Sequence, residues 1–494
     1  MTSSPSSLKR NAKSYFEEIS GFDLFYQLTY MSATSAAGIS RSRVFQLARQ
    51  LPCIPARYFK RIHEVAENMR YNYPDAVRMV GETVDSEAVK TFLLRLSDAL
   101  RSGEPLAGFL ARESAVQAEH YENDYIRRLE SLKKWNDAYT ALTVSAALIV
   151  IINMVSTMIY NLGAGTMLMM TLVAVLGSFG VAWVLYRSAP LETTTVPLAL
   201  GSKKQRRSRR LFRILMPLAL VTCIVLAVLG MDAGWIMIAA GALMLPVGWV
   251  ANRADKETFA KDREISSFFR SLGGTATSRG TTLKVALSSL KLDSFPALYP
   301  DIRMLNLRLN ALSQPPLCWQ YFGRETGSKL ADQATGVFYE AINLGGDPER
   351  TGVLTSEFAM KTAMLRSQRR GIGGTFAWLT IAMQVVLAAL MVFLLVVLEQ
   401  FSARLTEVSS SLGESQNAAA TLGLRDMFTF GAPEIQFLSA ITVGMVVLLA
   451  VVNAFAVVAT EGAHLIKMTY YLSMLAILSG VSFLVIPPFV RGIL

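Results

Sequence analysis

The sequence predicts an all-α, polytopic membrane protein with about seven transmembrane helices and two repeated cytoplasmic helical bundles. Three observations carry that reading. The 494 residues are 52% hydrophobic and 17% charged, with a mean hydropathy of +0.37. That is too apolar for an ordinary soluble protein and too charged for a chain made only of spans. Seven runs reach the roughly 20 apolar residues a helix needs to cross a bilayer core. Outside them apolar residues recur at three- and four-residue spacing, and strand-like alternation is scarce.

Residues 1–137 form the first bundle. Within "SEAVKTFLLRLSDALRSGEPLAGFLARES", Val89, Phe92, Leu93, Leu96 and Leu100 fall on one helical face. Gly103 and Pro105 stop that helix, and a new one begins near Leu106. A charged helix, "HYENDYIRRLESLKKWNDAYTALTV", then runs straight into the first span. Residues 138–251 hold four spans, near 139–160, 164–187, 212–231 and 233–251, with short glycine-bearing joints "NLGAG" and "GMDAG" and a basic loop at 188–211. Residues 252–373 form the second bundle, and "EFAMKTAMLRSQRRGIGGTFAWLT" leads from it into residues 374–494. The last three spans lie there, near 374–398, 436–459 and 468–489, with an acidic outer loop at 399–435.

No ionisable side chain falls in the central part of any span, so insertion avoids the roughly 2.5–3.5 kcal/mol that each buried charge would cost. Asn153, Gln384 and Asn453 are expected to hydrogen-bond between helices, and Gly177-Ser-Phe-Gly180 to permit close helix packing.

Charge sets the orientation. The N-terminal "MTSSPSSLKRNAKSYFEEIS" lacks the apolar core of a secretory signal and is expected inside. The 188–211 loop and 252–373 then also lie inside. The outer segments contain no lysine, and 399–435 carries Glu399, Glu407, Glu414, Asp426 and Glu434. This is the positive-inside pattern, and it accounts for the formal charge of +11. Lys203, Lys204, Arg206, Arg207, Arg209 and Arg210 in "GSKKQRRSRR" read as a topology anchor touching anionic lipid heads. The cluster has no aromatic residue for base stacking, so no nucleic-acid partner is expected.

Motifs for chemistry are missing. Cys53, Cys223 and Cys318 are far apart and read as free thiols. "GRETGSKL" at Gly323 has the wrong spacing for a phosphate loop, and "GGTATSRGTT" at Gly273 lacks the lysine; a loop and a turn are expected there. His63, His120 and His464 are single and scattered, which argues against a metal site. "GGDP" at Gly345 is out of register for an intramembrane aspartyl peptidase, and no Gly-x-Ser-x-Gly elbow stands out. No cofactor, metal or enzymatic activity is expected. The competing reading is a polytopic transporter or channel, although no span offers an ionisable midplane group.

The chain also repeats itself. "ATSAAGIS" from Ala33 resembles "ATSRGTT" from Ala276, and "SGEPLAGFLARE" around Gly103 resembles "GGDPERTGVLTSE" around Gly346; both pairs are one 243-residue step apart. Equal steps make two copies of one domain the better account. At these motifs the sequence resembles the type II secretion system F-domain family. Its members are the inner-membrane platform proteins of type II secretion, type IV pili and archaella. The additional hairpin at 212–251 makes it most like the archaeal two-domain version.

The resemblance implies a non-enzymatic platform in the cytoplasmic membrane. Such a platform couples a cytoplasmic hexameric secretion-type ATPase to filament assembly from pilin-like or archaellin subunits, here as a homo-oligomer, a dimer. The residues it singles out are the loop acids Glu104, Asp347 and Glu349, with Gly103 and Gly346 permitting the turn. Arg127, Arg128, Lys133, Lys134, Arg366, Arg369 and Arg370, at the bases of the stalks, would face the ATPase or lipid heads.

Overall fold

The structure, a computed structural model, describes residues 21–160, 164–190, 192–197, 201–311, 314–411 and 432–493. Segment 1–20, joint 161–163 and most of the acidic loop, with Glu414 and Asp426, lie outside these. Helices run in the order α1 Gly21–Ser35, α2 Arg41–Ala48, α3 Ala56–Asn68, α4 Tyr73–Glu82, α5 Glu87–Arg101, α6 Leu106–Tyr160, α7 Ala164–Ser188 and α8 Lys203–Val228. There follow α9 Ala233–Arg279, α10 Leu283–Ser289, α11 Tyr299–Asn310, α12 Pro315–Glu325, α13 Lys329–Asn343, α14 Pro348–Ser411, α15 Ala432–Glu461 and α16 Met468–Ile493. Among the described residues there is no β-strand, only one antiparallel bridge between Thr195 and Ser328.

The chain divides into two compact units. The first comprises Met1–Arg127, Thr193–Ser202 and Lys256–Arg366; the second comprises Arg128–Glu192, Lys203–Asp255 and Ser367–Leu494.

Residues 1–127 and 256–366, the greater part of the two sequence copies, lie in the first unit, and the copies share one helix order. Each has a helix, a glycine turn, a short helix, three further helices, a second glycine turn and a long helix. The turning glycines are Gly38 (φ 74°) and Gly103 (φ 79°) in one copy, Gly280 (φ 58°) and Gly345 (φ 95°) in the other. A Cβ disfavours that left-handed region, which is why glycine ends these helices. The first copy buries α1 on nearly every side. Its Thr29 and Thr34 hydroxyls donate to carbonyls one turn back, so no polar group is stranded there. Val89, Phe92, Leu93, Leu96 and Leu100 all point into the core, as their spacing predicts. The second copy packs an aromatic core of Phe268, Phe269, Trp319, Phe322 and Phe338. The copies meet where Phe358 packs on Phe25 (5.1 Å between ring centroids) and the Tyr30 hydroxyl donates to Glu340.

The "GGTATSR" stretch is helix, not turn. Phe268, Phe269, Leu272 and Ala276 keep one buried stripe, so α9 continues to Arg279 and turns only at Gly280.

Among the described residues, seven helices are long and apolar enough to cross a membrane. In the second unit α6, α7, α9, α14 and α15 bury a cluster that includes Ala147, Val150, Ala174, Met237, Leu387, Met391 and Leu449. A buried polar chain crosses this core. The Tyr139 hydroxyl donates to Asn453 Oδ1 (2.6 Å), Asn453 Nδ2 to Gln384 Oε1 (2.7 Å), and Gln384 Nε2 to the Val446 carbonyl (3.1 Å). The glycines of "GSFG" take no part in close packing, because a Cβ on Gly177 or Gly180 would meet nothing within 4 Å, although Ser178 between them is buried. Close packing occurs instead at Gly234, Gly241 and Gly248 of α9, where Cβ atoms would stand 2.9 Å from Leu484 Cγ, 2.6 Å from Ile477 Cγ1 and 2.4 Å from Tyr470 Cα of α16. Glycines one heptad apart keep a single helix face against its partner.

Candidate functional site

The repeated glycine-acid motif builds the turn that starts each long helix. In the first copy, Gly103 takes the positive φ and the Glu104 N–H donates to the Ala99 carbonyl (3.1 Å). The Glu104 carboxylate accepts from Arg112, two turns into α6. In the second copy the sequence assigns the turn to Gly346, but the positive φ belongs to Gly345. Gly346 has a different reason to be glycine. A Cβ there would sit 2.8 Å from the Ala341 carbonyl oxygen, to which its own N–H donates. Asp347 is the N-cap of α14. Its Oδ2 accepts the Arg350 N–H (2.8 Å), while Thr277 Oγ1 accepts the Glu349 N–H (3.0 Å). The "ATSRG" and "GGDPE" motifs are therefore joined in space. Glu349 and Asp347 are exposed.

The predicted stalk bases fall into two groups. Arg127, Arg128, Lys133 and Lys134 are exposed, with Arg127 paired to Asp124. Arg366 and Arg369 are buried, which corrects the expectation that they face a partner or lipid. Arg366 Nη1 lies 2.8 Å from Asp262 Oδ2, and Asp262 Oδ1 accepts from the Ser328 hydroxyl. Arg369 donates from Nε to the Thr460 carbonyl (3.0 Å), from Nη2 to that of Ala459 (2.8 Å) and from Nη1 to that of Pro190 (2.7 Å). It thus satisfies carbonyls that the end of α15 cannot pair internally.

Sequence reasoning did not find the ionic knot beside Arg369. Asp255 Oδ2 accepts from half-buried Arg370 (2.8 Å) and from Lys467 Nζ (2.9 Å). Lys467 also reaches Glu461 (2.7 Å), which accepts the Tyr471 hydroxyl. Glycine makes room for it: a Cβ on Gly373 would lie 2.6 Å from Glu461 Cγ, and one on Gly462 2.5 Å from Arg369 Cζ. In the first unit, buried Lys261 pairs with Asp301 (2.6 Å); burial raises the Asp301 carboxyl and Lys261 opposes the rise. The 193–197 segment also docks there, with the Lys329 N–H donating to the Thr194 carbonyl (3.1 Å) and the Val196 N–H to that of Gly327 (3.2 Å).

The six-residue basic cluster opens α8. Lys203, Arg206, Arg207, Arg209 and Arg210 are exposed and Lys204 is half-buried.

Two bundles of one helix order and, among the described residues, seven apolar helices define a polytopic, all-helical membrane protein. Residues 28–154 match the family model of the type II secretion system (T2SS), protein F. The resemblance read from the sequence is borne out. The flagella accessory protein J of Methanocaldococcus jannaschii is 25% identical over 330 residues, 64% of this chain and 58% of that protein. The flagella accessory protein J of Methanococcus voltae is 22% identical over 325 residues, 63% of this chain and 58% of that protein. The chain thus spans 58% of the length of these curated relatives. The similarity lies with the archaeal version that the hairpin at 212–251 suggests. No solved structure matches the chain.

Proposed function

We propose that this chain is the membrane platform of an archaellum or type IV pilus-like machine. It couples a separate cytoplasmic hexameric secretion-type ATPase to the assembly of pilin-like or archaellin subunits and catalyses no reaction itself. The observation that supports this most is helix continuity. The chain passes from the first unit to the second after Arg127, and again after Arg366, inside the unbroken helices α6 and α14; α9 carries it the other way after Asp255. A load on a bundle would travel along hydrogen-bonded helix rather than through a flexible linker.

The platform lies in the cytoplasmic membrane as a homo-oligomer, with its N-terminus and the 1–137 and 252–373 bundles inside and spans in 138–251 and 374–494. The ionic knot supports this topology. Together with the bonds of neighbouring Arg369, it ties down Pro190, Asp255, Thr460 and Lys467, which the topology assigns to the inner side. The basic cluster supports it too. Cations at the positive end of a helix dipole are unfavourable by roughly 0.3–1 kcal/mol each, and anionic lipid heads would offset this. Exposed Arg127, Arg128 and Glu349 are proposed ATPase contacts, whereas Gly103, Glu104, Gly346 and Asp347 shape turns.

The test is reconstitution of the full chain in nanodiscs with the purified ATPase, and separately in liposomes. The expected result is a complex in the first and no solute flux in the second. Flux by the chain alone, with no ATPase binding, would establish the transporter reading instead.

A further inference from the structure

Helix α8 turns its charges and its apolar residues toward the same side. A topology anchor needs only the number of cations on the inner face; which way they point is a separate fact. The fully buried residues of α8 are Gln205, Ser208 and Ala219. Opposite that stripe stand Arg206, Arg210 and Arg213, a row at four- and three-residue spacing, all exposed. The same row continues as Pro217, Leu220, Ile224 and Val228, the last three 59%, 56% and 82% exposed. The face thus changes from basic to apolar within one turn after Arg213.

The basic part has no counter-charge of its own. Between Glu192 and Asp232 the sequence holds no acid. Among the described residues, Arg206, Arg210 and Arg213 form no ion pair or hydrogen bond, whereas Arg78, Arg95, Arg101 and Arg112 of the first bundle each pair with a carboxylate. Arg206 stands one turn from Arg210, and Arg210 one turn from Arg213; like charges at that spacing destabilise a helix. The cluster also opens α8, where the helix dipole is positive. Pro217 has no N–H to offer the Arg213 carbonyl, which suits a depth where water and polar heads are at hand. A soluble protein would cover the basic turns but not the apolar ones that follow. An anionic phospholipid covers both, with its phosphate on the arginine forks and its chains along Leu220, Ile224 and Val228.

We propose that α8 carries a binding site for an anionic phospholipid, with Arg206, Arg210 and Arg213 holding its phosphate. Because the chain buries so little of α8, the bound lipid fastens this helix, and the folded chain gains stability as the site fills. That the lipid comes from the inner leaflet rests on the topology proposed above.

The experiment melts the full chain in mild detergent with added phosphatidylglycerol or, at equal concentration, phosphatidylcholine. The parent should melt about 3 °C or more higher with the anionic lipid. A chain carrying Arg206→Gln, Arg210→Gln and Arg213→Gln should lose most of that gain. It keeps Lys203, Lys204, Arg207 and Arg209 as inner-side cations, and with repulsion relieved it should melt no lower than the parent in phosphatidylcholine. A lower melt there would assign the row to packing within the chain, against the proposal. Lys60→Gln, Arg61→Gln and Arg303→Gln, exposed cations of the two bundles, remove as much charge and should keep the full gain. No gain by the parent, an equal gain by the α8 variant, or an equal loss in the bundle variant refutes the site. Glycerol phosphate should not replace the lipid; equal stabilisation by it would reveal a soluble-anion site instead. If the α8 variant bound the ATPase tenfold less tightly in phosphatidylcholine nanodiscs, the row would face a protein and the proposal would fail. Topology is tested apart, by protease access to an N-terminal tag: a tag on the outside would overturn that reading and the inner leaflet with it, while the melts still decide the site.

Discussion

Replacing Gly248 by alanine should loosen the seam between α9 and α16. The new Cβ would stand 2.4 Å from Tyr470 Cα and 3.0 Å from the Thr469 carbonyl carbon, whereas carbon atoms settle about 3.5–4.0 Å apart. The obstacle is backbone, so no change of rotamer relieves it and the helices must part by about 1 Å. A gap of that size forfeits roughly a quarter to a half of each dispersion contact along the seam, and overpacking typically costs about 1–3 kcal/mol. Better helix propensity returns at most about 1 kcal/mol. Because backbone cannot give way, the cost lies toward the upper end and the net loss is about 1–2 kcal/mol. For the second unit of roughly 250 residues, at about 2–4 °C per kcal/mol, this lowers the melting temperature by about 2–8 °C. Gly241→Ala, which meets Ile477 Cγ1 at 2.6 Å and the Ser473 carbonyl oxygen at 2.9 Å, should behave alike. Gly177→Ala and Gly180→Ala enter open space and should hold or raise the melting temperature. The assay is a tryptophan-fluorescence melt of the full chain in mild detergent. A Gly248→Ala protein as stable as the parent, or a Gly177→Ala protein equally weakened, would refute the seam.

Arg369→Ala should cost about 3–5 kcal/mol, because three carbonyls at a buried site lose their donors; exposed Arg128→Ala should stay within about 0.5 kcal/mol by the same melt. Burial pushes the Cys53 thiol up to about 12, and it donates to Gln27 Oε1 at 2.9 Å. The neutral form therefore persists at all lower pH, and in a Cys223→Ser, Cys318→Ser chain iodoacetamide should label Cys53 slowly at pH 8 until the protein is unfolded. Rapid labelling of the native chain, read by mass, would contradict that burial. Replacing the six basic residues of 201–210 by glutamine should disturb the orientation of a C-terminal reporter; normal insertion would assign the cluster to a partner.

What the sequence makes legible is local. The α5 stripe, the seven apolar runs and the helices that continue from bundle into span are all written in neighbouring residues. The ionic knot is not. Asp255, Arg370, Glu461 and Lys467 each sit at the edge of a span, where a charge is equally suited to lipid heads, and only helix packing brings them together. Arg366 reads as a stalk cation until α9 brings Asp262 beside it. The glycines divide the same way. "GSFG" carries a small-residue spacing but its two glycines face open space, whereas Gly234, Gly241 and Gly248 recur every seven residues, a period legible in the sequence.

The repeated glycine-acid motif bears on where a partner binds. In both copies its acid is engaged within the chain, by Arg112 in the first and as the cap of α14 in the second. Recurrence of the pattern is then explained by the need to end one helix and start a long one, and a partner site need not coincide with it. Asp347 separates the two roles. Asp347→Asn keeps a capping oxygen and removes the charge, whereas Asp347→Ala removes both and should cost about 0.5–2 kcal/mol. If the motif serves the turn, the alanine chain melts lower, the asparagine chain melts nearly as the parent does, and ATPase affinity in nanodiscs changes little in either. If the acid touches the partner, asparagine alone should reduce binding about tenfold at unchanged stability, and the assignment of Asp347 to the turn would fail.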